Sequence, residues 1–330
     1  MTGVRGRGWG TAVAAAVIGL AVATGVVAYF NVGAVLAAMR PIGLGGFALA
    51  IAAQLLLFIP LGGAWWLAAA KSASRAPVFI WGRLLREAAS DVLPFSHVGS
   101  VLIAVRAAVL GGIATAEATG SCVVDITCEI VAQLLYTLFG VALLAARLGL
   151  GAGQNPLITS LLVGLGLATG VVALFIATQR RGLRALERLI ERRLPAIAGQ
   201  AAGVAAVVEQ AYDRPVRLFA CLGLHLFAWF ASAAGTWLIL DFIGHPMAFL
   251  SVAAIESLLF AIRNAAFMAP SGLGVQEGAY ALIGPLFGLP AEAALALSLL
   301  KRARDICVGV PMLIGWQIVE SRFSLRTASR

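Results

Sequence analysis

Residues Pro41–Ala70 read PIGLGGFALAIAAQLLLFIPLGGAWWLAAA, without one charged side chain. A helix needs about 20 apolar residues, at about 1.5 Å each, to cross the roughly 30 Å hydrocarbon core of a bilayer. This stretch is longer than that. Two more charge-free gaps, Arg7 to Arg40 and Arg147 to Arg180, are equally long, and Arg217 to Asp241 is a fourth. The runs Glu129–Arg147, Asp241–Glu256 and Asp305–Glu320 are shorter. They span only if their helices carry polar residues within the membrane. β-Barrel strands alternate over about ten residues, and these runs are too continuous for that. Backbone polar groups in lipid must be satisfied internally, so helices remain. The expectation is an all-α, polytopic integral membrane protein of about seven to eight helices, residues 1–330 forming one transmembrane domain.

The whole-chain composition agrees. Of 330 residues, 61% are apolar and 12% charged, against about 45–50% and about 25% in soluble domains. Mean hydropathy is +0.96. A soluble enzyme, a disordered chain and a nucleic-acid-binding domain are excluded. The net charge of +9 then reports orientation and implies no nucleic-acid partner. Arg5 and Arg7 precede the first span. Lys71, Arg75, Arg83 and Arg86 follow the second, and eight arginines lie between Arg180 and Arg217. The positive-inside rule places the N-terminus (1–10) and the 179–217 loop in the cytoplasm of a bacterial inner membrane, and the 321–330 tail there too. The first apolar run, Thr11–Phe30, exceeds a usual signal-peptide core and is followed at once by another span, so it reads as an uncleaved anchor.

The 179–217 loop alternates Arg with Glu187, Glu191, Glu209, Asp213 and several leucines. It reads as interfacial helices on anionic inner-leaflet lipid. Residues 77–91 read similarly, with Phe79 and Trp81 at headgroup level and Arg83 and Arg86 facing lipid. Trp65 and Trp66 mark an approach to the interface. Gly164, Gly166 and Gly170 lie in an apolar helix and read as close-packing sites. Cys122, Cys128, Cys221 and Cys307 form no CxxC pair and read as core residues, implying neither disulfide nor zinc site. No HExxH, GxSxG or P-loop is present, so neither cofactor nor metal is expected.

Two stretches resemble each other: SDVLPFSHVGSVLIAVRAAVLGG (90–112) and AAFMAPSGLGVQEGAYALIGPLFG (265–288). Each has a proline, Pro94 or Pro270, then a glycine, Gly99 or Gly274, then a fresh apolar helix. Proline and glycine break helices at membrane depth. Paired breaks point to a pseudo-repeat with two re-entrant half-helices around a central site. A half-helix starting at Gly99 or Gly274 aims free N–H groups and its positive dipole end at a polar ligand. Gly272 and His97 lie in the same loops.

Charges fall inside the apolar runs. Asp125, Glu129, Gln133 and Tyr136 occupy one stripe about 80° wide at 100° per residue. Glu256, Arg263 and Asn264 make a second; Arg106 follows Gly99 and Glu277 follows Gly274. An acid at the bilayer centre costs about 2.5–3.5 kcal/mol, so these groups need partners or a cavity. One reading has Arg106 and Arg263 pairing with Asp125, Glu129, Glu256 or Glu277 to lock the bundle. The other is a hydrated pocket where arginines take the anionic oxygens of a lipid headgroup. The two are compatible.

These residues resemble the lysylphosphatidylglycerol synthase transmembrane-region family. The stretch from Met268 to Gln317, with Pro270, Gly272, Gly274 and Glu277, is the most specific part; Pro94, Gly99, Arg106 and Asp125 also match, over about residues 10–320. Ser100 departs from the family pattern of the first loop. The branch most similar is found with hopanoid-biosynthesis genes. The resemblance implies the lipid-translocating half of fused family members, without their synthase domain, because the chain ends about ten residues after its last apolar helix. The expected function is a non-enzymatic, flippase-like translocation or export of a hopanoid, phospholipid or related polar-headed lipid. The headgroup site would comprise Pro94, His97, Gly99, Arg106, Asp125, Glu129, Arg263, Asn264, Pro270, Gly272, Gly274 and Glu277. Two alternatives stay open: a scaffold for hopanoid-biosynthesis enzymes, and an intramembrane lipid-modifying enzyme using the clustered acids.

Overall fold

The computed structural model describes residues 37, 39–69, 75–93, 97–149, 156–193, 195–265 and 274–328. The anchor at Thr11–Phe30 and the residues Pro94, Pro270 and Gly272 lie outside them. Every regular element among the described residues is helical: α1 (Gly43–Ala68), α2 (Ala76–Val92), α3 (His97–Leu110), α4 (Thr115–Arg147), α5 (Pro156–Arg193), α6 (Pro195–Tyr212), α7 (Pro215–Phe242), α8 (Phe249–Ala265), α9 (Val275–Ile283) and α10 (Ala291–Ala328). Among the described residues, four stretches are long and apolar enough to cross a membrane: Arg40–Ala68, Thr115–Arg147, Leu162–Gln179 and Pro215–Phe242. The protein is polytopic and helical.

The two Pro–Gly stretches lead into the short helices α3 and α9. At about 1.5 Å per residue neither crosses a bilayer. α9 starts at Gly274, whose φ of 77° explains the glycine; a side chain there is strained. α3 begins at His97, so Gly99 sits inside its first turn and does not cap it.

The chain divides into two compact units. One comprises Met1–Leu56, Leu85–Ser100 and Phe230–Arg330; the other comprises Leu57–Leu84 and Val101–Trp229. In the second unit, Trp65, Phe79, Ala104, Ala108, Ala118 and Cys122 form one apolar core, and Ala64, Val124, Val208, Ala211 and Cys221 another. Small residues permit this packing. A Cβ on Gly62 would collide with the Ile80 backbone, and one on Gly120 would meet Val207 at 2.8 Å. In the first unit, Leu295 and Ala296 of α10 pack with Met39, Ala281 and Leu299. A Cβ on Gly309 would meet Val92 at 2.6 Å.

Several sequence expectations are corrected. Trp65 does not mark an interface: it is 1% exposed, and its indole donates to Ser121 Oγ at 3.0 Å. Phe79 is buried edge-on against Trp65 at 5.4 Å, and Arg83 is buried too. The 77–91 segment turns these residues into the protein, because the apolar core that takes Phe79 and the acids that partner Arg83 lie there. A Cβ added at Gly164, Gly166 or Gly170 would meet nothing within 4 Å, so these glycines close-pack against nothing among the described residues. Around them Leu167, Val171 and Leu174 are each more than 60% exposed, the pattern of a lipid-facing helix. The 179–217 segment is continuous helix apart from the undescribed residue 194 and the short break before Pro215. Its second part, α6, packs inward through Val207 and Val208. Cys307 is exposed, unlike Cys122 and Cys221.

Candidate functional site

Buried charges gather in each unit separately. In the unit holding Leu57–Leu84 and Val101–Trp229, α4 carries Asp125 and Glu129 one turn apart. Arg83 of α2 meets both. Its guanidinium makes a two-point contact with Glu129, Nη1 to Oε2 at 3.0 Å and Nη2 to Oε1 at 2.5 Å, and reaches Asp125 Oδ2 at 3.4 Å. The planar fork of arginine suits this geometry. On the other side of Asp125, Oδ1 lies 2.9 Å from His225 Nε2 on α7. Asp125 and His225 are fully buried. Tyr136, two turns beyond Glu129 along the stripe, stacks between Phe139 and Trp229 at 6.1 and 6.0 Å.

In the other unit, Lys301 of α10 is the hub of a buried network. Its ammonium donates to Glu256 Oε2 at 2.6 Å, to the Tyr280 hydroxyl at 2.8 Å and to Thr236 Oγ1 at 3.2 Å. The Tyr280 hydroxyl in turn donates to Glu256. All three ammonium protons thus have acceptors, which is what makes a buried lysine tolerable. α7, α8, α9 and α10 are tied at one point.

Next to it, Glu277 performs two tasks. Its Oε2 accepts the Gly274 N–H at 2.9 Å, capping α9, and its Oε1 accepts from Arg302 Nε at 3.1 Å. A carboxylate in the first turn complements the helix dipole. The positive end expected to face a ligand is thus answered by the helix's own carboxylate, and the cationic group presented outward is Arg302.

Arg302 lines a cavity of about 270 Å³ together with Asp91, Val92, Arg263, Gln276, Asp305 and Ile306. Arg263 Nη2 contacts Asp91 Oδ1 at 3.5 Å, and its guanidinium lies 5.8 Å from the Phe260 ring centre. Arg304 holds Asp305 at 2.7 Å. Gln276 donates to Ser298 Oγ and to the Ser298 carbonyl. Asp91 sits at the end of α2, outside the four spanning stretches. Burial first, and the nearby Asp305 second, push its carboxyl from 3.8 up to about 7, against the pull of Arg263.

The structure thus distributes the anticipated site residues. Asp125 and Glu129 lie together in one unit; Arg263, Gly274 and Glu277 lie in the other, around or beside the cavity. Asn264 is exposed near the end of α8, and Arg106 is half-buried on α3. His97 opens α3; its side chain, like Pro94, Pro270 and Gly272, lies outside the described residues. The expected pairing of Arg263 with Asp125, Glu129, Glu256 or Glu277 is corrected: its ion pair is with Asp91. Lys301 and Arg302 serve Glu256 and Glu277, and Arg83 serves Asp125 and Glu129. Sequence reasoning missed Asp91, Arg83, Tyr280 and the two basic residues as site groups. The signal was there: Lys301, Arg302, Arg304 and Asp305 interrupt an otherwise apolar run, and such charges must face partners.

A family model described as the lysylphosphatidylglycerol synthase TM region matches residues 16–315. No curated protein and no solved structure matches the chain.

Proposed function

The chain belongs to the lysylphosphatidylglycerol synthase transmembrane-region family, membrane proteins of lipid handling, and from that premise we propose that it translocates or exports a polar-headed lipid at a bacterial inner membrane. The cavity lined by Arg263, Arg302, Asp91, Asp305 and Gln276 carries this reading. Its size suits a headgroup and not a whole lipid. Its lining has two guanidinium groups, two carboxyl groups and an amide. Asp91, raised to about 7, is only part-charged near neutral pH, so the two arginines leave the lining slightly positive and suited to a zwitterionic or polyhydroxylated head that carries an anionic oxygen. Arginine forks take phosphate or hydroxyl oxygens, and the aspartates take amine or hydroxyl protons. Hopanoids and related amphiphiles with hydroxylated or amino heads fit that description. The N-terminus is assigned to the cytoplasm on the arginine bias of the 179–217 segment.

The reading carries no covalent chemistry: the acids beside the cavity are engaged in capping and ion pairs. The test is a deletion strain whose lipids are profiled twice, as total lipid and as outer-leaflet-accessible lipid. Translocation requires normal totals with one species missing from the outer face, restored by the wild-type gene and not by an Arg263→Ala/Arg302→Ala variant that still inserts. Loss of a species from the total overturns transport and favours synthesis or scaffolding.

A further inference from the structure

The second unit carries a cluster that the lipid reading leaves unused. Asp125, Cys221 and His225 are all buried, and one donor atom from each lies within 4.8 Å of the others. The donors lie on two helices, α4 and α7. Cys221 and His225 are four apart on α7, so they share a helix face. His225 supplies an independent sign. It is fully buried, one ring nitrogen meets Asp125 Oδ1 at 2.9 Å, and Nδ1 finds no hydrogen-bond partner among the described residues. A buried imidazole with a nitrogen left unsatisfied is short of a partner.

We propose that Cys221, His225 and Asp125 form a binding site for a divalent transition metal of the zinc class. A thiol, an imidazole and a carboxylate are zinc donors, and three protein ligands leave a fourth position open. Donors at about 2.0–2.3 Å from a tetrahedral ion stand roughly 3.5 Å apart, and these three atoms already lie within 4.8 Å of one another. Charge allows it. Arg83 gives its two-point contact to Glu129 and reaches Asp125 at Oδ2, and an ion would take the place of the proton shared by Asp125 Oδ1 and His225 Nε2. Binding releases the Cys221 thiol proton and fastens α4 to α7.

The test uses full-length protein purified in detergent through a tag without histidines, stripped by a chelator and titrated with Co²⁺. One equivalent per chain should give thiolate-to-cobalt charge-transfer absorption, abolished by Zn²⁺. Cys221→Ser and His225→Gln should lose it, and Cys307→Ser should keep it. Absence of the band in wild type, or its survival in both site variants, overturns the site. Should the variants fail to insert, alkylation of wild-type Cys221 decides, read by mass spectrometry with and without Zn²⁺. Protection by the ion supports the site, and equal labelling overturns it.

Discussion

Glu277 Oε2 accepts the Gly274 N–H at 2.9 Å while its Oε1 holds Arg302 at 3.1 Å. One buried carboxylate therefore starts a helix and aims a cation into the cavity. Glu277→Gln keeps the shape and one acceptor but removes the charge. Capping losses run about 0.5–2 kcal/mol. Amide hydrogen exchange over 275–283 should accelerate, and outer-leaflet delivery of the lipid should fall with totals unchanged. Unchanged delivery in an inserted variant would remove Glu277 and Arg302 from the transport site.

Arg83 is 2% exposed and faces two acids. Removing one partner of a buried ion pair strands the other, at about 3–5 kcal/mol. Arg83→Met should therefore sharply lower thermal stability in detergent. Arg184→Ala breaks a pair whose side chains are 58% and 44% exposed, and exposed pairs contribute about 0–1 kcal/mol. Melting of the two variants should differ plainly; equal melting contradicts the burial of Arg83.

Lys301 and Glu256 offer a sharper comparison. Lys301→Met or Glu256→Gln alone leaves a buried charge without its counter-ion. The double variant removes both charges. Its loss should be smaller than the sum of the single losses, a coupling of about 0.5–3 kcal/mol in a thermodynamic cycle. Additive losses would deny the contact.

Asp91 makes stability depend on pH. Its carboxyl is raised from 3.8 to about 7, so the folded chain holds that proton more tightly than the unfolded chain. The contribution of Asp91 to stability therefore falls as pH rises from about 4 to about 7, and the full penalty applies above that. Asp91→Asn should melt a few degrees above wild type at pH 8, with the advantage gone near pH 4. An advantage that grows toward low pH would reverse the assignment.

Gly62 lies against α2, where a Cβ would run into the Ile80 backbone. Backbone cannot yield as a side-chain tip does, so Gly62→Ala should cost at least the roughly 1–3 kcal/mol typical of overpacking. Gly164→Ala, with open space around it, should leave melting within about 0.5 kcal/mol of wild type.

The sequence by itself determined the helical membrane class, because charge-free runs of this length have no other stable state in lipid. It also determined one helix start, since Gly274 ahead of Glu277 starts α9 for local reasons: a positive φ and a carboxylate three residues on. It marked Asp125, Glu129, Glu256 and Glu277 as groups in need of partners. Only the tertiary structure decided which partners. Asp125 meets Arg83, 42 positions away, and His225, 100 positions away. A helical stripe states which face is polar, not which helix meets it. The same limit explains why Phe79, Trp65 and Arg83 looked interfacial. An amphipathic segment of that length reads alike whether its apolar face meets lipid or protein, and only packing against neighbours distinguishes the two.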